Sequence, residues 1–89
     1  MKFRFDPIKD AANLAKHGIS LSAAANLEWN EALVWMDVRY DYGEPRQSAL
    51  VPLANRLYFV AFVDKGDESR VISLRKANKR EVNRYANNR

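Results

Sequence analysis

With 89 residues, 47% of them apolar and 29% charged, the chain fits one compact globular domain. That length excludes a Rossmann half with its substrate domain, a βα barrel or a repeat array, and the absence of cysteine removes disulfides, thiolate zinc sites and cysteine nucleophiles. The formal charge is +4, no apolar run reaches the ~20 residues that span a bilayer, and Met1–Pro7 lacks the apolar core of a signal peptide, so a soluble, cytoplasmic chain away from membranes is expected.

Lys2-Phe3-Arg4-Phe5 alternates and predicts a short strand. Asp6-Pro7 then opens a helix, with Asp6 as cap and Pro7 at the first helical position, where its missing N–H is no loss. Ile8, Ala11, Ala12, Leu14 and Ala15 give that helix an apolar stripe, and Gly18 ends it in the left-handed conformation. Ser20 caps a second helix from Leu21 to about Leu27, with Ile19 placed to pack on Ala24. Past Trp29-Asn30 the pattern changes to strands at Ala32–Val38, Arg46–Leu53, Arg56–Asp64 and Arg70–Arg75. Arg39–Pro45 is a loop rich in turn formers and aromatics, Ala54-Asn55 a tight turn and Lys65–Glu68 a hairpin loop. Leu57–Val63 is apolar on both faces, which places its strand in the middle of a sheet. Asn78 caps a last helix with Glu81 three residues on, a variant of the capping box, and Val82, Tyr85 and Ala86 are its inward positions. Trp35 is expected in the core. The order β-α-α-β-β-β-β-α predicts a two-layer α+β domain. Its antiparallel four-stranded meander, with the short N-terminal strand, is covered on one face by two N-terminal helices and one C-terminal helix.

Residues 70–89 carry seven basic side chains against Glu81 alone, a net +6, whereas residues 1–69 carry eight basic against ten acidic, a net −2. Such a segment suits a polyanion such as RNA, DNA or an acidic protein, and a solvated C-terminal helix explains it equally well. Strict alternation along the last strand puts Val71, Ser73 and Arg75 on one face and Arg70, Ile72 and Leu74 on the other. Arg46 and Arg75 flank the central strand and can converge on an open, basic face; pairing with Glu44, Asp37 or another surface carboxylate is the competing reading. His17 is the sole histidine and the obvious proton carrier, yet Lys16-His17-Gly18 also ends a helix, where a cation suits the exposed carbonyls. Tyr40 and Tyr42 offer loop aromatics for stacking on unpaired bases. Metal-ligand and phosphate-loop motifs are absent, and Asp6 with Asp10, or Asp64 with Asp67 and Glu68, are explained by a cap and a turn.

Several of these residues fall in a familiar order. Phe5-Asp6-Pro7-x-Lys9, Asn13-x-x-Lys16-His17-Gly18-Ile19-Ser20, Glu44-x-Arg46, Arg70-Val71-Ile72-Ser73-x-Arg75-x-Ala77 and Glu81-x-x-x-Tyr85 resemble the BrnT family of type II toxins over nearly the whole chain. The resemblance implies a RelE-like fold and a ribonuclease that halts translation without a metal or other cofactor. It also implies neutralisation by a BrnA-type ribbon-helix-helix antitoxin, through which alone the pair meets operator DNA; the toxin by itself is then expected to be a monomer. On this reading the ribose 2′-hydroxyl attacks the adjacent phosphate. Arg46 and Arg75 grip that phosphate, His17 or Glu44 moves protons, and Lys16 adds charge. Glu81 either caps its helix or orients Arg75. Arg70, Lys76, Lys79, Arg80 and Tyr42 are the expected RNA-binding residues. A basic module that binds RNA, DNA or a partner without cutting, or a toxin whose active face has decayed, is the alternative.

Overall fold

The computed structural model describes residues 2–39, 41 and 43–88. Strands β1 (Lys2–Arg4), β2 (Leu33–Asp37), β3 (Arg46–Leu53), β4 (Arg56–Asp64) and β5 (Glu68–Lys76) form one five-stranded sheet in the order β1-β5-β4-β3-β2, with helices α1 (Pro7–His17) and α2 (Lys79–Asn87). From β2 to β5 each strand pairs antiparallel with the next, and the doubly apolar β4 is central as its composition predicts. β1 adds to the β5 edge in parallel, which makes the sheet mixed and extends the expected four-stranded meander.

Both ends of α1 follow from local chemistry. The Asp6 carboxylate accepts the Ile8 N–H at 2.9 Å, and Gly18 at φ 72° donates its N–H to the Leu14 carbonyl. Between α1 and the sheet the chain departs from expectation: Leu21–Asn26 is a 3₁₀ segment, not an α-helix, and a second 3₁₀ turn follows at Trp29–Glu31. A run this short gathers few i→i−4 bonds, and its leading N–H groups are taken by side chains. Ser20 Oγ accepts from the Ser22 N–H, and the Asp10 carboxylate accepts from the Leu21 N–H.

The core lies between this 3₁₀ segment and one sheet face, where Leu21 and Ala24 are buried against Ala49, Val51, Val60, Phe62, Val71 and Leu74. Trp29 closes it, with its ring 5.3 Å from Phe3 and 5.4 Å from Phe62 and its Nε1–H donated to the Ala24 carbonyl. Cross-strand register puts Leu33, Trp35, Ser48, Leu50, Phe59, Ala61, Ser73 and Arg75 on the opposite face. α2 sits there, because Arg84 lies 3.8 Å over the Trp35 ring and Tyr85 donates its hydroxyl to the Glu31 carbonyl at 2.7 Å. Helices therefore cover both faces, which corrects the two-layer expectation with all helices on one side. It also corrects Trp35, which is half-buried under α2 and outside the core cluster, and Val82 and Ala86, which are exposed. α2 seats through Glu81, Arg84 and Tyr85 rather than through an apolar stripe. No helix among the described residues is long and apolar enough to cross a membrane.

Candidate functional site

The register of β5 contains the decisive local feature. Val71 pairs with Phe62 and Ser73 with Ala61, so Ile72 is an extra residue in a β-bulge. Alternation resets there. Val71 and Leu74 both enter the core, while Arg70, Ser73 and Arg75 all share the α2 face. Strict period-two reading puts Arg70 opposite Arg75; the bulge brings it to the same side. Arg46, in register with Asp37 on β2, lies on this face too.

Sharing a face does not bring the two predicted phosphate-gripping arginines together. Arg46 is placed at the Arg70 end of the sheet, and the five residues from Arg70 to Arg75 span roughly 15 Å of strand. Arg70 pairs with Glu44 at that end, and Asp37, in register with Arg46 on the far edge of the sheet, holds Arg39 at 3.0 Å. At the other end Arg75 meets Glu81 of α2 in a fork, Nη1 to Oε1 at 2.8 Å and Nη2 to Oε2 at 2.9 Å, with its guanidinium 4.3 Å from the Phe59 ring centre. His17 and Lys16 lie elsewhere again, in a groove between α1 and β5. Lys76, Lys79 and Arg80 are exposed, and Lys76, paired with Tyr58, points to the face opposite Arg75. Tyr40 and Tyr42 lie outside the described residues.

Around Arg75 the structure forms a cleft of about 280 Å³, walled by Trp35, Arg39, Ser48, Phe59, Glu81 and Arg84. Two guanidinium groups, those of Arg75 and Arg84, lie against aromatic rings, an arrangement that holds a planar cation in place while leaving donors for an anion. Glu81 does two jobs. Its Oε1 accepts the Asn78 N–H at 2.9 Å to complete the capping box, and the same carboxylate holds Arg75. Burial raises the Glu81 pKa, but hydrogen bonds from Arg75 and the Asn78 backbone, with the guanidinium charge, outweigh it and leave the carboxyl below its ordinary value of 4.5. Glu81 is thus a carboxylate at neutral pH. Sequence spacing does not single out Arg39, Ser48, Phe59 or Arg84. For Arg84 the usable signal is its place three residues after Glu81, on the same helix face.

The fold is an α+β domain whose sheet face sets guanidinium groups over aromatic rings, a chemistry that can offer forked donors to an anion such as a phosphodiester. Residues 5–81 match the family of ribonuclease toxins, BrnT, of type II toxin–antitoxin systems. The chain belongs to that family of ribonuclease toxins, and membership in a type II toxin–antitoxin system implies an RNA target and an antitoxin partner. Comparison with curated proteins gives no match.

Proposed function

We propose that the chain cleaves RNA in the α2-side cleft, without a metal ion, by attack of a ribose 2′-hydroxyl on the neighbouring phosphorus. The O2′–P bond forms, the P–O5′ bond breaks, and a 2′,3′-cyclic phosphate and a free 5′-hydroxyl result. The observation that carries this reading is Arg75, half-buried on Phe59 and forked to Glu81 within the cleft. A phosphate offers the guanidinium the same paired oxygens as the carboxylate does. When it takes that place, Arg75 and Arg84 bear the charge that grows on the phosphorane, and the released Glu81 carboxylate accepts the 2′-hydroxyl proton; water protonates the departing 5′-oxygen. Glu44, His17 and Lys16 lie outside the Arg75 cleft, Glu44 on Arg70 and the other two in the groove beside α1, and they are given no part in this step. The partner fits a BrnA-type ribbon-helix-helix antitoxin that carries the operator-DNA contact, and the place of action is the cytoplasm.

The test is Arg75→Ala. Loss of a charge-stabilising group in such a site lowers the rate about 10²–10³-fold. Growth arrest on expression and the appearance of cyclic-phosphate RNA ends are both expected to vanish, with the circular dichroism spectrum unchanged. Undiminished cleavage by the soluble variant overturns the assignment. RNA retained by the wild-type protein without new ends supports the binding-only alternative.

A further inference from the structure

Across the β5 edge from the arginine cleft lies a second groove, of about 200 Å³. Lys9, Ala12, Lys16 and His17 of α1 form one wall, and Ile72 and Ser73 of the β-bulge form the other. The α1 residues fall at i, i+3, i+7 and i+8, one continuous helix face. Among the described residues no carboxylate lines the groove: the acidic residue of α1, Asp10, is turned away to Ser20 and the Leu21 N–H. Neither Lys9, Lys16 nor His17 has an ion pair among the described residues. The contrast with the arginine cleft is chemical. There Arg75 is already held by Glu81, which fixes one geometry; here two lysines present mobile point charges that suit a chain of phosphates in many geometries.

We infer that this groove is a second RNA-backbone site, holding the phosphodiesters that flank the nucleotide bound in the cleft. The inference rests on the ribonuclease reading and extends it from a single scissile phosphate to a length of single-stranded RNA. Continuity supplies the path. Ser73 lines the groove and stands two residues, roughly 7 Å, from Arg75 along the same strand. Ser73 shares the Arg75 face by plain alternation and lies at the sheet edge, just past the bulge, where β1 no longer pairs with β5. Lys9 and Lys16 are seven residues apart, roughly 10 Å of helix, long enough to meet more than one phosphate.

The experiment compares the wild-type protein with Lys9→Glu/Lys16→Glu and Lys9→Ala/Lys16→Ala. Binding of a long fluorescein-labelled single-stranded RNA is followed by anisotropy across a salt series, and cleavage of a labelled trinucleotide is followed in parallel. Each phosphate contact in a single strand contributes about 0.7 to the slope of log affinity against log salt. Loss of two is expected to reduce the slope by about 1.4 in the alanine pair and to weaken binding about tenfold, more in the glutamate pair. Trinucleotide cleavage is expected to stay at the wild-type rate. An unchanged slope and affinity overturns the groove site. Equal losses on the long RNA and the trinucleotide overturn it as well, because the lysines then act within the cleft. Intact RNA binding with lost antitoxin binding makes the groove a protein-docking surface instead. A slope that falls as expected while no protein cuts RNA supports the groove and overturns the cleavage reading alone.

Discussion

Glu81 concentrates three demands on one carboxylate: it caps α2, holds Arg75, and stays charged while its side chain is only 16% exposed. Its pKa is depressed, so the sign of the linkage is fixed. The charged form is favoured in the folded state; the stabilisation is complete above pH 4.5, the ordinary value, and is lost as pH falls through the lowered folded-state value. Glu81→Gln keeps a cap acceptor and removes the charge. Hydrogen bonds to charged groups contribute ~2 kcal/mol, so at pH 7 the variant is expected to melt well below the wild type. The gap is expected to close over the range from neutral pH down through the lowered folded-state value, where the wild-type carboxyl becomes protonated too. Thermal melts at both ends of that range check this; a gap that does not change with pH would show that the charge contributes nothing to the fold.

At the level of elements, β5 is the informative strand. β1 pairs with it only as far as Arg70, and the open edge beyond is finished by a side chain. Asn13 of α1 donates Nδ2–H to the Leu74 carbonyl at 2.7 Å and accepts the Leu74 N–H at Oδ1 at 3.1 Å, standing in for a missing strand. A second bond from Nδ2 reaches the Ile19 carbonyl. Asn13→Leu fits the volume and strands the buried Leu74 N–H and C=O, each at about 1–3 kcal/mol. A loss of ~3 kcal/mol lowers the melting temperature of a domain this size by more than about 10 °C, measurable by calorimetry. A shift within about 2 °C would mean that water or a rearranged strand satisfies Leu74. Asn13 is visible in the sequence only as part of a resemblance, because its partner is a backbone unit sixty-one positions away. Caps and turns were legible at Asp6, Gly18 and Asn78 because their chemistry is local. The bulge at Ile72 was not, since alternation carries no mark for an inserted residue. From that one residue comes the error over which face holds Arg70. The place of α2 was hidden for a related reason: its seating contacts are a forked ion pair, a stacked guanidinium and a hydroxyl bond, none of which leaves an apolar period.

On the scale of the whole molecule the two faces of the sheet are held by different forces. The α1 face buries Leu21, Val51, Val60, Val71 and Leu74 completely, and its cohesion is apolar. The α2 face also buries Leu50, but the helix itself is tied down by Arg75–Glu81, Arg84 on Trp35 and Tyr85 on Glu31, with Val82 left 45% exposed. Ionic and cation–π contacts weaken with salt, whereas apolar burial does not. α2 is therefore expected to open as a unit before the sheet does, and to open more readily at 1 M than at 0.1 M salt, the range over which the Debye length falls from about 10 to 3 Å. Amide hydrogen exchange reads this directly. Val82–Ala86 should exchange through a low-energy opening that salt accelerates, while Ala49–Val51 and Val60–Val63 should exchange only with global unfolding. Exchange of α2 in step with β4 at both salt concentrations would show that the domain is one cooperative unit. The expected behaviour has a functional side, because the same opening withdraws Glu81 from Arg75. If the proposed cleft is the RNA site, each excursion of α2 exposes the guanidinium to an incoming phosphate, and RNA that bridges Arg75 and Arg84 is expected to slow the exchange of α2 below its rate in the free protein.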